Sequence, residues 1–289
     1  MLDTRRTQTT ARRNATVTPG QLLTRIAASQ ILPPALVRAG RSRAIAAVVA
    51  HAGAGLPLRV LTLVADAGLV LFAIDDLLDD PELAAEEGRL RVAQYAAVAR
   101  GESLPEVAFD PIARALTALR QRLAEHDRAG DLVDAWADAV GRMLAGMGAE
   151  LDDDASGAAG LPRYLASGRD SIGVEMVALA AWIATDAAGT RAALPALRRA
   201  ERSFSTAVRL ANDLRTCERE RAEGRVNAVT LVGESGRPLL CALRDRALAD
   251  GRRALAHGGV ADTAQGRFVE RFADAIVSMY VTRDFEQAA

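Results

Sequence analysis

Lysine is absent from this chain of 289 residues: all 36 basic residues are arginine. Against 37 acids they leave a formal charge of −1, so there is no basic excess to neutralise nucleic-acid phosphates. Two cysteines, Cys217 and Cys241, are too few for a disulfide framework or a structural zinc site, and a reducing cytosol is the compartment they suggest. No apolar run reaches the roughly 18 residues of a membrane span. The opening MLDTRRTQTTARRNATVTPG is polar and lacks the apolar core of a secretory signal, so residues 1–18 are expected to be a disordered tail. Alternating β-branched runs are rare. There are three asparagines, Asn14, Asn212 and Asn227, and eleven aromatic residues (2 Trp, 3 Tyr, 6 Phe).

Half of the residues are hydrophobic, and Ala, Leu and Arg, all good helix formers, dominate from Pro19 onward. Apolar positions recur at three- and four-residue spacing, as in Leu116, Leu119 and Leu123. Proline and glycine breaks, among them Pro33-Pro34, Pro81, Asp152 to Pro162, Gly189 to Pro195 and Gly258-Gly259, divide the chain into about ten helices. No repeat or Ser/Gly-rich linker separates two parts. The expectation is one all-α domain over residues 19–289.

Within that pattern, the stretch FAIDDLLDDPE, residues 72–82, ends an apolar run with four carboxylates. On a helix spanning 58–80, Asp75 and Asp79 share one face, and Asp76 and Asp80 share another about 100° round. Acids at a helix C-terminus oppose the macrodipole by roughly 0.3–1 kcal/mol each, which calls for a compensating cation. Hard oxygen ligands on one face suit Mg²⁺. Asp152, Asp153 and Asp154 are equally acidic but follow no long apolar helix, and read as a loop.

A second stripe lies in RLANDLRTCERERAEGRVNAVTL, residues 209–231. Asn212, Thr216 and Glu220 fall at i, i+4 and i+8, so an amide oxygen, a hydroxyl and a carboxylate line one side of a helix. Asn is a poor helix-interior residue because it competes for backbone hydrogen bonds, so its place here asks for a reason. The alternative is an ordinary amphipathic helix with a solvated polar face.

Together the two stripes resemble the motifs of the class I terpene synthases. The DDxxD motif corresponds to Asp75-Asp76-Leu77-Leu78-Asp79. The N-D-x-x-[ST]-x-x-[KR]-E motif corresponds to Asn212 through Glu220, with Thr216 as the hydroxyl and Arg219 as the basic residue. The resemblance spans essentially the whole chain after the tail. It implies an all-α isoprenoid-synthase bundle and three magnesium ions held by Asp75, Asp76, Asp79, Asn212, Thr216 and Glu220. It also implies a prenyl diphosphate substrate, no nucleic-acid or membrane partner, and a homodimer as one option for assembly.

In the family an arginine that senses diphosphate precedes a helix break. The stretch YLASGRDSIGVEM would make Arg169 that sensor, Ile172 the linker position and Gly173 the residue whose carbonyl faces the pocket. Many bacterial members carry an Arg-Tyr pair near the C-terminus; SMYVTRDFEQ keeps Tyr280 but has Met279 in place of the arginine, leaving Arg283 as a substitute for diphosphate binding. Phe72 and Val208 are expected to line the substrate pocket, with Trp136 and Trp182 more at home in the core.

The implied reaction is departure of diphosphate from an allylic substrate, followed by carbocation cyclisation or rearrangement, ended by deprotonation or water capture. No D-x-D-D acid motif is present for a protonation-initiated start. The short length, the stretch EGRVNAVTL and the C-terminal sequence look like small bacterial labdane-related diterpene synthases acting on copalyl-type diphosphates, with farnesyl or geranylgeranyl diphosphate as alternatives. A chain-elongating prenyltransferase would carry a second DDxxD where this chain has Asn212-Asp213; a non-enzymatic helical scaffold would require both stripes to be accidental.

Overall fold

The computed structural model describes residues 16–152, 160–282 and 285. Among these there are eleven α-helices and no strand: α1 Pro19–Ser29, α2 Ala39–Ala52, α3 Leu58–Leu78, α4 Ala85–Arg100, α5 Pro111–Ala124, α6 Asp131–Asp152, α7 Gly160–Ser171, α8 Val174–Ala222, α9 Ala228–Val232, α10 Arg237–His257 and α11 Ala264–Thr282. The all-α expectation is met. Of the expected tail, residues 1–15 lie outside the described residues, but Val17 and Thr18 belong to the fold. Val17 packs on the core, and Thr18 closes a capping box on α1: its Oγ1 accepts from the Gln21 N–H at 3.2 Å, and its own N–H donates to Gln21 Oε1 at 2.9 Å.

Helix α8 is the centre of the bundle, packing against α3, α6, α7, α9, α10 and α11. Trp136 on α6, Trp182 and Phe204 on α8, Tyr95 on α4 and Phe268 on α11 are fully buried. Both tryptophans are therefore core residues. One stretch within Gly160–Ala222 has the length and mean hydropathy (1.4) of a membrane span, but 61% of it is buried inside the bundle.

The break expected at Gly189 to Pro195 falls earlier, at Asp186, whose backbone is extended (φ −162°, ψ 96°) while the helix runs on through Pro195. The reason is capping: the Asp186 carboxylate accepts from the Gly189 N–H at 3.0 Å, starting a new helix. The joint is stitched on both sides. Thr190 Oγ1 donates to the Trp182 carbonyl at 2.9 Å, while Gln265 on α11 donates to the Asp186 carbonyl at 3.3 Å and accepts at its own carbonyl from Trp182 Nε1 at 3.0 Å.

Helix α3 is buried all round from Val60 to Val70, as a core helix should be. Even its one charge there, Asp66, is enclosed, held by Arg122 at 2.6 Å and by Ser29 at 2.8 Å. From Leu71 onward one side opens, with Leu71, Phe72, Asp75, Asp76 and Leu77 half-buried. The helix ends at Leu78, two residues short of the expected 80, because Asp79 takes the C-cap and Asp80 turns back to accept from the Glu82 N–H at 2.9 Å. Asp152 closes α6 rather than standing in a loop; Asp153 and Asp154 lie outside the described residues.

Candidate active site

The open side of α3 and the C-terminal half of α8 face one cavity of about 1040 Å³. Asp75, Asp76 and Asp79 line it from α3; Val208, Asn212, Thr216, Arg219 and Glu220 line it from α8. Phe72, Ile172, Gly173 and Tyr280 are also in its wall. The two stripes are distant in the chain, and the packing of α3 on α8 brings them to one space.

The cation demanded by the acidic helix end is supplied in this structure by arginines. Asp76 binds Arg41 at 2.6 Å and Arg38 at 3.0 Å, both contributed by the start of α2 and the residue before it. Arg41 also lies over the Phe72 ring, 4.8 Å from its centroid. Asp79 binds Arg225, from the loop after α8, at 2.6 Å. Of the three motif carboxylates, Asp76 is thus committed to α2, whereas Asp75 is left to the cavity. Burial pushes the Asp75 carboxyl up to about 7, with Asp79, Glu150 and Asp76 adding to the rise and Arg41 opposing it.

On the opposite wall, Thr216 Oγ1 donates to the Asn212 carbonyl at 2.8 Å. Glu220 Oε2 accepts from Asn227 Nδ2 at 2.7 Å. Asn227, fully buried, also donates to the Asp213 carbonyl at 3.0 Å and caps α9 by accepting from the Val229 N–H at 2.8 Å. A set of carboxylates, an amide and a hydroxyl facing one cavity, with the Asp75 carboxyl destabilised by its acidic neighbours, is the donor chemistry of a hard divalent cation, and the residues present fit one.

Arg169 is not among the residues of this wall. It stands near the end of α7, as its place in the sequence suggests, but pairs with Asp170 at 3.4 Å among the charges around the buried Glu201. Besides Arg41, the wall holds a second buried arginine, Arg209, to which no motif in the sequence points. Its guanidinium joins three helices: Glu150 of α6 at 2.9 Å, Ser171 of α7 at 3.3 Å, Asp213 of α8 at 3.0 Å, and the Tyr164 hydroxyl of α7. The stem passes over Gly168, where a Cβ would come within 2.9 Å of Arg209 Nε. In a chain so rich in arginine, nothing local distinguishes it.

Gly173 has φ +69°, and a Cβ there would sit 2.5 Å from a Leu71 methyl. Its conformation ends the gap between α7 and α8 and is one that glycine adopts without strain. Tyr280 packs edge-on to Phe285 at 5.8 Å, and Phe285 in turn packs on Phe72 at 4.8 Å. Phe272, Tyr280 and Phe285 join Phe72 in the wall, so several of the chain's few aromatics gather there. Met279 is buried, and Arg283 lies outside the described residues.

Residues 66–236 match the profile of terpene synthase family 2, C-terminal metal binding. No curated protein sequence matches the chain. Solved structures do. Linalool/nerolidol synthase from Streptomyces clavuligerus, in complex with 2-fluorogeranyl diphosphate, is 18% identical with a TM-score of 0.72, over 92% of this chain and 95% of that one. 2-Methylisoborneol synthase from Streptomyces coelicolor A3(2), in complex with Mg²⁺ and geranyl-S-thiolodiphosphate, is 17% identical with a TM-score of 0.73, over 95% and 94%. Germacradien-4-ol synthase from Streptomyces citricolor is 19% identical with a TM-score of 0.57, over 91% of each chain. With more than half of its length in the family profile and both motif stripes in one cavity, the chain belongs to the terpene synthases of family 2 and is a class I enzyme, a lyase acting on prenyl diphosphates.

Proposed function

We propose that this enzyme is magnesium-dependent and converts a copalyl-type diphosphate into a diterpene. The observation that carries the site assignment is the meeting of Asp75 and Asp79 with Asn212, Thr216 and Glu220 across one cavity. These five residues would hold magnesium, which when bound supplies electrophilic assistance to departure of the diphosphate. Arg219 and Tyr280, both in the cavity wall, bind the diphosphate. Leu71, Val177, Val208 and Ile276 fold the hydrocarbon chain and exclude water. Phe72, Phe272 and Phe285 offer ring faces to positive charge as it migrates. Gly173 contributes its backbone carbonyl at the wall, and proton loss or water capture ends the reaction.

A second reading, a mono- or sesquiterpene cyclase using a linear substrate, is favoured by the acyclic geranyl analogues bound in two of the similar structures. The assay that separates the readings is incubation of purified protein with Mg²⁺ and, separately, geranyl, farnesyl, geranylgeranyl and the copalyl diphosphate stereoisomers. Solvent extracts are analysed by gas chromatography–mass spectrometry, with Asp75→Ala as control. A new product from a copalyl isomer, lost in the variant, supports the proposal. Product from a linear substrate alone replaces it with the second reading. Longer prenyl diphosphates on addition of isopentenyl diphosphate would assign chain elongation instead.

A further inference from the structure

Five arginines line the cavity among the described residues: Arg38, Arg41, Arg209, Arg219 and Arg225. Their surroundings differ. Arg41 is 7% exposed in its pair with Asp76, and Arg209 is 9% exposed among its partners, so both are fixed parts of the wall. Arg219 approaches Glu223 at 3.9 Å. Arg225 is paired with an acid on the Asp75–Asp79 face.

Its grip on Asp79 has two points, and its Nε also lies 3.5 Å from Glu223 Oε2. Nη1 lies 2.6 Å from Asp79 Oδ2, and Nη2 donates to the Asp79 carbonyl at 3.1 Å. The guanidinium therefore neutralises a carboxylate and closes the C-terminus of α3 at once. The pair is 38% and 46% exposed, at the mouth, where an ion pair is held weakly and exchanges with solvent cations. The loop that carries it turns through Gly224 at φ +72°, with nothing within 4 Å of where a Cβ would be, and is anchored one residue past Val226 by buried Asn227.

We propose that Arg225 is a diphosphate-binding residue that is stored on Asp79: it holds this carboxylate until a divalent cation takes it, and then turns its guanidinium to the substrate's diphosphate. A carboxylate that accepts a divalent cation cannot keep a guanidinium at 2.6 Å without strong like-charge repulsion between the two cations. The released fork is already at the mouth, on the side from which a polyanion enters, and its planar geometry suits phosphate oxygens. Metal binding and diphosphate binding are then coupled through one side chain, and the acidic helix end stays neutralised in the absence of metal. This inference rests on the reading of the site as a metal–diphosphate centre.

The test is calorimetric and needs no turnover. Mg²⁺ alone, and inorganic pyrophosphate at saturating Mg²⁺, are titrated into wild type, Arg225→Gln, Arg225→Lys, Asp79→Asn and the Asp79→Asn/Arg225→Gln double variant, each checked for folding by thermal melting. Arg225→Gln should bind Mg²⁺ alone more tightly, because its competitor is gone, and bind pyrophosphate roughly 10-fold more weakly, because a charge-assisted hydrogen-bonding group is lost. Arg225→Lys, which retains charge without the fork, should fall between and carries the test if the glutamine variant does not fold. In the Asp79→Asn background, Arg225→Gln should leave Mg²⁺ binding unchanged. Unchanged binding in either titration of Arg225→Gln, with wild type binding normally, overturns the role of Arg225. Wild type that binds no pyrophosphate with Mg²⁺ overturns the reading of the site itself.

Discussion

The side-chain amide of Asn227 donates to Glu220 Oε2 at 2.7 Å, so the loop after α8 reaches back to hold the last carboxylate of the ligand stripe. Asn227 is a positioning residue for Glu220 and the N-cap of α9 together. Replacing it with alanine should weaken Mg²⁺ binding about 10- to 100-fold, the usual effect of losing a group that orients a metal ligand. Asp at this position should do more harm, by facing one carboxylate with another. Mg²⁺ titrations of activity and calorimetry on the two variants check this; equal Mg²⁺ dependence in Asn227→Ala and wild type would confine Asn227 to its capping role.

Arg209 should matter to stability before it matters to turnover. Asp213 is fully buried, and burial pushes its carboxyl up to about 7 even with Arg209 beside it, opposing the rise. Arg209→Met leaves that acid without its cation, at a cost of about 3–5 kcal/mol. Thermal unfolding should fall on the order of 10 °C. Adding Asp213→Asn should recover part of the loss, and a purely additive further loss would deny the pairing.

Gly173→Ala tests the gap between α7 and α8. The positive φ imposes about 1–3 kcal/mol of strain on alanine. Its Cβ would also drive Leu71, a cavity residue, from its place. The expected outcome is a lower melting temperature and an altered product profile by gas chromatography–mass spectrometry, with binding of Mg²⁺ and pyrophosphate retained.

Glu201 gives the fold a pH signature. Burial pushes its carboxyl from 4.5 up to about 8, with Glu175 adding to the rise and Ser205 and Arg169 opposing it. Because the folded value is the higher one, the stability Glu201 contributes is complete below about 4.5 and is lost as pH climbs to about 8. Asp75 and Asp213 act in the same direction but only up to about 7. In the presence of a metal chelator, the melting temperature of wild type should therefore fall between about pH 7 and 8, and Glu201→Gln should flatten that interval. A slope unchanged by the substitution would place the titration elsewhere.

Much of this is legible in the sequence because it is local. Helical spacing identifies the faces of Asp75 with Asp79 and of Asn212 with Thr216 and Glu220, and the cavity receives both. What spacing cannot carry is rotation about a helix axis relative to distant neighbours. Arg169 therefore sits where expected along α7 but turned toward Asp170, and Asp76 faces two arginines from the start of another helix. Arg209, Arg225 and Asn227 act through partners that only packing supplies, and two of them are hidden by a composition in which every cation is arginine. The break in α8 escapes a search for glycine and proline, because those residues are conspicuous while a single aspartate able to cap is not. Asp79 ends α3 early in a different way, at the C-cap, where its backbone N–H still donates to the Asp75 carbonyl while its carboxylate pairs with Arg225.

The joint at Asp186 divides α8 into a segment that begins at Gly173 and a segment that carries the ligand stripe. Because Gln265 of α11 fastens the joint from outside, each segment has its own anchorage. An enzyme lineage could then remodel the segment that begins at Gly173, and with it part of the cavity wall, while inheriting the ligand stripe unaltered.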